Sequence, residues 1–165
     1  MSLSEKFYEA LWSCFAHWLA SSPARVDWLI ARAQRTPYVD INVYMGRWWL
    51  LQPSRWLPFS IRIHHIRLPD NDRNPHNHPW NFRSIVLRGW YTEELLLPDG
   101  GTRSQFAATG KTYTRKINEY HRVADVGDGG VWTLFIMGRY QTKWGFMVNG
   151  EHIYWREYLG DWEGL

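Results

Sequence analysis

Cysteine is almost absent from this chain, with Cys14 the only one among 165 residues. An intrachain disulfide is therefore impossible, which is typical of proteins in a reducing compartment, and we expect a cytoplasmic location. Cys14 falls within an apolar helical pattern. We expect it to be a small core residue rather than a nucleophile.

Long apolar runs and clusters of basic residues are missing as well. No stretch approaches the roughly 20 apolar residues of a membrane span, so we expect no membrane partner. The net charge is +3, from 19 basic and 16 acidic residues, and the longest basic run is Arg115-Lys116. A nucleic-acid-binding surface would concentrate its positive charge, so we expect no nucleic-acid partner either.

Aromatic residues, in contrast, are abundant: they make up 17% of the chain, and 12 of them are Trp. Such side chains suit a β-sandwich core or a pocket lined with rings. No repeat or interdomain linker is visible, and the length fits a single compact unit. Within it we distinguish an N-terminal helical extension, residues 1–36, from a β-domain, residues 37–165.

Two helices are predicted in the N-terminal extension. Ser2 and Glu5 have capping-box spacing. An apolar stripe follows at helical intervals, formed by Phe7, Leu11, Cys14, Phe15, Trp18 and Leu19. We prefer a helix here to a signal peptide because acidic residues interrupt the segment. The second helix begins with Ser22 as cap and Pro23 as first residue, and it ends before Pro37. We expect both helices to cover the outside of the β-domain.

From residue 38 onward the pattern predicts eight to ten short strands separated by turns, which is typical of a sandwich or barrel. The dipeptide Asn149-Gly150 predicts a type I′ hairpin. In residues 60–68 the alternation changes phase, because Ile61 and Ile63 share one face and Ile66 and Leu68 the other. The change falls at His64-His65. It predicts a bulge or a crossing between sheets there, with one of these histidines on the inner face.

The segment His76-Asn77-His78-Pro79-Trp80-Asn81-Phe82 carries the chemistry. In an extended backbone His76, His78, Trp80 and Phe82 share a face, so two imidazoles can reach one metal ion. The best third ligand is His121, which also lies in a segment of alternating apolar residues. Pro79 removes a backbone donor, so this segment should be irregular or at a sheet edge.

In these residues the chain resembles the cupin superfamily, whose first motif holds HxH, a later Glu and a Gly, and whose second motif adds a His. His76 and His78 match the pair, Gly89 the glycine and His121 the later His. Phe82 stands where the family usually has Glu, which makes the site similar to the three-His thiol dioxygenase branch. Tyr44-x-x-Arg47-Trp48 and Trp144-Gly145-Phe146 further resemble small cupin-like proteins of bacteria and their phages.

The resemblance implies a mainly β fold, a cupin-type double-stranded β-helix (jelly-roll barrel), with the two helices packed outside. Three neutral imidazoles suit Fe(II), which we favour, and also Zn, Ni or Cu. Tyr91 and Glu93 are the candidate catalytic residues. If both face the cavity, Glu93 becomes a fourth ligand or a proton carrier of raised pKa; the alternative is an outward polar pair. Trp80 and Arg83 are the candidate substrate-binding residues.

Three functional hypotheses follow. The first is a metal-dependent cupin, specifically an Fe(II) oxygenase acting on a small polar or anionic molecule. The second is a non-catalytic cupin that binds or senses a small molecule in an aromatic-lined barrel. The third is a metal-free sugar-nucleotide isomerase, which requires histidines paired with carboxylates rather than converging on one point. Edge strands and exposed aromatics lead us to expect a homodimer.

Overall fold

The computed structural model describes residues 2–41, 43–70 and 74–160. Its helices are α1 (Leu3–Ala20), α2 (Pro23–Ala33) and α3 (Trp155–Leu159). Its strands are β1 (Tyr38–Ile41), β2 (Met45–Leu51), β3 (Ser60–Ile66), β4 (Phe82–Arg88), β5 (Trp90–Leu96), β6 (Thr102–Ala108), β7 (Thr112–Arg115), β8 (His121–Val126), β9 (Val131–Met137), β10 (Gly145–Val148) and β11 (Glu151–Tyr154). Strand β6 and helix α3 were not predicted.

The strands form two main antiparallel sheets. The larger sheet has the order β1-β2-β3-β9-β4-β7, and the smaller has the order β6-β5-β8. Strands β10 and β11 form a separate hairpin, but an isolated residue connects it to the smaller sheet, because His76 bridges both His121 of β8 and Phe146 of β10. The fold is the predicted mainly β, cupin-type jelly roll with N-terminal helices outside.

Both N-terminal helices begin where local signals place them. The Ser2 side chain accepts from the backbone N–H of Glu5, and the Glu5 side chain accepts from that of Ser2, which completes the capping box. Ser22 caps α2, and Pro23 is its first residue. Both helices pack on the outer face of the larger sheet through one apolar cluster. Its members include Ala16, Leu19, Val26, Ile30, Ala33, Ile63, Ile85, Leu87 and Leu134.

The apolar stripe predicted for α1 is largely not buried. In α1 only Ala16 and Leu19 are buried, whereas Phe7, Leu11, Phe15 and Trp18 are all exposed. Cys14 is exposed too, so its assignment to the core was wrong. The reason is geometric: a helix lying on a sheet buries a narrow strip, and α1 carries apolar residues well beyond that strip. No helix in the described part of the chain is long and apolar enough to cross a bilayer.

Strand β3 runs through His64-His65 without the predicted bulge. Its register with β9 is continuous from Ser60 to Ile66. The alternation instead reflects two covered faces, since Ile63 belongs to the cluster under the helices while His64 and Ile66 line the barrel interior. The prediction of a bulge or a sheet crossing at His64-His65 was therefore wrong, but one of the two histidines does lie inside, as expected, and it is His64.

Two glycines singled out in the sequence have a positive φ. Gly89 lies between β4 of the larger sheet and β5 of the smaller one, with φ +86°. A Cβ atom at this position would lie 2.6 Å from the carbonyl oxygen of Gly130, so glycine is required for both conformation and space. Asn149 and Gly150, with φ 52° and 85°, close the β10–β11 hairpin, as a type I′ turn demands.

Candidate metal centre

Three imidazoles converge inside the barrel. One ligand nitrogen from each of His76, His78 and His121 lies within 4.8 Å of the other two. The Nε2 atoms of His78 and His121 are 2.9 Å apart. Two ligands at right angles on an ion at about 2.1 Å are separated by about 3 Å, so this spacing suits two imidazoles on one metal ion.

Backbone pairing brings the two motifs together. His76 and His121 exchange both N–H···O bonds, at 2.8 and 2.9 Å. The side chain of Asn77, the residue after His76, holds this segment in place. Its Oδ1 accepts from the Gly145 N–H at 2.9 Å, and its Nδ2 donates to the Ile117 carbonyl at 3.0 Å. The segment is irregular up to Phe82, where β4 begins, in agreement with the effect expected of Pro79. The Asn77 side-chain amide therefore supplies hydrogen bonds that neighbouring strands supply in a regular sheet.

A buried carboxylate holds His121 in orientation. The Nδ1 atom of His121 lies 2.9 Å from Oε1 of Glu93, which is 1% exposed. Arg115 donates to the other carboxylate oxygen at 2.5 Å, and the Tyr113 hydroxyl donates to Oε1 at 3.2 Å. When the Nδ1–H of His121 donates to the Glu93 carboxylate, the Nε2 atom presents its lone pair to the other imidazoles. This is the carboxylate–histidine arrangement that supports metal ligands in proteins.

Glu93 consequently does not have the raised pKa expected of it. Burial raises the pKa of this carboxyl group, but the charges of His121 and Arg115 and the hydrogen bonds from both lower it below its ordinary value. The carboxylate form is therefore favoured, which does not fit the expected proton carrier of raised pKa. Tyr91 and Glu93 share a face, as their parity predicted, and of the two alternatives left open it is the one that lines the cavity.

The other two histidines have different surroundings: His78 is among other imidazoles, and His76 lies beside an acid. Burial, together with the neighbouring His121 and His76, lowers the pKa of His78 well below its ordinary value. Nδ1 of His76 lies 3.8 Å from Oδ2 of Asp70, and that oxygen also accepts from the Val123 N–H at 2.9 Å. A neutral imidazole is the form that binds a metal, so the donor set fits one divalent ion.

The histidines lie in an inner chamber of about 90 Å³. The chamber adjoins a wider mouth of about 420 Å³. Residues common to both are Tyr44, Met45, Arg47, Arg62, Asp70, His76, His78 and Trp80. The mouth is rich in rings, with Tyr140, Trp144, Phe146 and Trp155 on its wall. A small molecule with a flat or apolar part can therefore reach the imidazoles through an aromatic entrance.

The two predicted substrate-binding residues have different positions. Trp80 lines both chamber and mouth. Arg83 lines neither; it lies on the other face of β4, where its guanidinium pairs with Glu9 of α1 at 2.5 and 3.0 Å. We therefore correct its assignment to substrate binding. The parity of Phe82, which faces the histidines, already implied that the next residue points away.

Sequence reasoning missed several residues of the site. Arg47 and Arg62 line the chamber, and Tyr113 and Arg115 support Glu93. A signal existed for Arg62, which is two residues from His64 and hence on the same face of β3. No signal in the sequence links Arg115 to Glu93, because the pairing depends on how strands of both sheets meet.

No family model matches this chain, and no curated protein does. Solved structures match at low identity. Hydroxypropylphosphonic acid epoxidase from S. wedmorenis is 14% identical over 64% of this chain and 56% of its own length, with a TM-score of 0.52. A structure of Fe(II)-HppE with an alternative substrate matches with a TM-score of 0.50 and 16% identity over 64% of this chain and 57% of its own.

A Bacillus subtilis oxalate decarboxylase, studied for its Mn(II) centres, matches with a TM-score of 0.56 and 10% identity over 78% of this chain. The match spans 33% of that decarboxylase, so this chain corresponds to a minor part of it. These similarities concern the fold alone, which is the predicted cupin-type jelly roll. The three converging histidines have the spacing to hold one metal ion.

Proposed function

We propose that this chain is a metal-dependent cupin oxygenase that holds one divalent transition metal, with Fe(II) preferred, on His76, His78 and His121. The observation that carries the proposal is the convergence of these imidazoles in a chamber open to an aromatic mouth. Its support from known proteins is that epoxidase structures of the same fold include an Fe(II) form. The substrate is a small polar or anionic molecule.

The chain's own residues would do two things in such an enzyme. Glu93 keeps the His121 ring fixed, with Arg115 and Tyr113 keeping Glu93 fixed in turn. The small chamber, walled by rings such as Phe82 and Phe135, limits water around the reacting atoms. A bound redox-active metal supplies dioxygen chemistry that amino-acid side chains lack. Because three imidazoles carry no charge, the metal's charge also favours an anionic substrate.

The isomerase hypothesis required histidines that pair with carboxylates instead of converging. His121 does pair with Glu93, and His76 lies near Asp70, but all three rings also converge. Convergence is what a metal needs and what the isomerase hypothesis does not explain. We therefore rank the metal-dependent function first and keep the metal-free binding or sensor function as the outcome if no metal binds.

The test is metal analysis of protein purified with and without added Fe(II) under nitrogen, beside His76→Ala and His121→Ala. We expect close to one metal per chain in the native protein and loss in both variants. His17→Ala, on the exposed side of α1, is the control and should keep the metal. Oxygen uptake with candidate substrates then tests oxygenase activity. Native protein without metal in any preparation, with both variants folded, would contradict the proposal.

Three expectations from the sequence stay predictions alongside this function. They are a cytoplasmic homodimer, a division into a helical extension over residues 1–36 and a barrel over residues 37–165, and kinship with small cupin-like proteins of bacteria and phages. Size-exclusion chromatography with light scattering measures the oligomeric state directly. A monomer at micromolar concentration would contradict the dimer.

A further inference from the structure

The chamber concentrates buried polar atoms that have no hydrogen-bond partner. Eight such side-chain atoms occur in the described part of the chain, and five of them belong to residues that line this one chamber. These are Nε of Arg47, Nε of Arg62, Nε2 of His64, Nε1 of Trp80 and Oγ1 of Thr133. Buried polar groups normally have partners, so a cluster of exceptions indicates a bound ligand.

Nearly all of these atoms are hydrogen-bond donors. The arginine and tryptophan nitrogens can only donate, and a threonine hydroxyl donates readily. Burial and the charges of Arg47 and Arg62 keep the pKa of His64 well below its ordinary value, so that ring is neutral and carries one N–H. The missing partner must therefore be rich in acceptor atoms.

Two of the donors carry positive charge. Arg47 lies opposite His64 in the β2–β3 register, which makes Arg47 and Arg62 diagonal neighbours on the inner face. Within residues 2–41, 43–70 and 74–160 neither guanidinium has an ion-pair partner. Arg62 lies 3.6 Å above the Trp49 ring, which holds it in place without neutralising it.

The two charges are costly in this position. Burial, together with the neighbouring charge of Arg47, lowers the pKa of Arg62 to about 9. Burial also lowers the pKa of Arg47. Among the described residues, two nearby acids already have partners: Glu93 is bound by Arg115 and His121, and Asp70 accepts a hydrogen bond from the Val123 N–H. Two half-buried charges of one sign, without an ion-pair partner in the described ranges, are a feature of functional sites rather than of stable cores.

We propose that Arg47 and Arg62 form an anion-binding subsite, and that the substrate is an organic anion with a carboxylate or phosphonate head group and a flat, apolar body. The head group binds between the two guanidiniums in the chamber, with Trp80 and Thr133 donating to it. The body occupies the wider mouth between the aromatic rings. This proposal rests on the proposed function, because it assigns the substrate of the same site.

The test is calorimetry with benzoate, phenylphosphonate, acetate and the neutral isostere benzamide, on metal-free and Fe(II)-loaded protein. We expect benzoate or phenylphosphonate to bind at least tenfold more tightly than benzamide in both forms. Acetate, which lacks the ring, should bind more weakly than benzoate. Anions that bind no better than benzamide would overturn the proposal, and acetate equal to benzoate would overturn the part that concerns the body.

Substitutions separate ligand recognition from structure. Arg47→Met and Arg62→Met should each weaken binding of the better anion at least tenfold, while Arg62→Lys should retain part of it. Arg103→Met, on exposed strand β6, is the control and should change nothing. A structural arginine would lower the melting temperature when removed. Here Arg62→Met should leave the melting temperature unchanged or raise it, because the substitution removes a half-buried charge that has no ion-pair partner in the described ranges.

The outcomes also distinguish this proposal from the metal site. Anion binding that needs Arg47 and Arg62 in a protein that never binds metal would sustain the subsite and overturn the oxygenase. Stoichiometric metal binding with no preference for anions would sustain the metal site and overturn the anion-binding subsite. A lower melting temperature in Arg62→Met with unchanged anion affinity would show a structural arginine and overturn the subsite.

Discussion

The carboxylate behind His121 allows a prediction that separates metal affinity from stability. Glu93→Gln keeps the size of the side chain but removes the charge that balances Arg115, which is only 7% exposed. Removing one partner of a buried pair costs about 3–5 kcal/mol of folding free energy. It also loosens the orientation of His121, and loss of such an outer partner lowers metal affinity by about 10–100-fold.

A second substitution distinguishes the two effects. In Glu93→Gln/Arg115→Met no charge of the pair remains, so most of the lost stability should return, because replacing both partners is often nearly neutral. Metal affinity should stay low, because His121 still lacks its carboxylate. Urea unfolding of metal-free protein measures the first quantity, and titration with Fe(II) under nitrogen measures the second.

The neighbouring residue is a matched control. Glu94→Gln removes a carboxylate whose pair with Arg122 is partly exposed, at 33% and 37%. Such pairs contribute about 0–1 kcal/mol, so the control should change little. Metal affinity unchanged in Glu93→Gln, or a double variant as unstable as the single one, would refute the role assigned to this carboxylate.

Two further predictions concern the helices. Cys14 is exposed, so one thiol per native chain should react with a disulfide reagent without denaturant; reaction only after unfolding would contradict the position of α1. Glu9→Gln leaves the buried Arg83 without its carboxylate partner and should cost about 1–2 kcal/mol by urea unfolding while metal stoichiometry stays unchanged. A parallel loss of metal would show that this contact reaches the site.

Local signals were sufficient for much of the fold. The capping box at Ser2, Pro23 after its cap and the Asn149-Gly150 turn each specify backbone geometry within a few residues, and all three are present. What failed was the assignment of buried faces. The α1 stripe is wider than its contact with the sheet, and β3 is covered on both faces, so neither pattern reports burial alone.

For the site, too, local patterns predicted well and contacts between distant strands did not. Alternation predicted that His76, His78 and Trp80 share a face even though this segment is not a regular strand. Arg83 was chosen because it is near the motif in sequence, whereas the arginines that line the chamber, Arg47 and Arg62, come from strands β2 and β3. The face of Arg62 could be inferred from His64, but a single sequence does not show which strands meet across the barrel.

The glycine of the HxH motif illustrates how a motif residue can serve the fold and not the chemistry. Gly89→Ala places a methyl group 2.6 Å from the Gly130 carbonyl oxygen in a backbone of φ +86°, whereas Gly100→Ala, at φ +84°, meets nothing within 4 Å. The left-handed backbone should lower the free energy of unfolding of both variants by about 1–2 kcal/mol. The clash should lower it by about a further 1–3 kcal/mol in Gly89→Ala alone. Urea unfolding measures the difference, and metal per folded chain should be equal in both. Equal stability of the two variants would show that Gly130 yields, and that close approach is not why the motif holds a glycine.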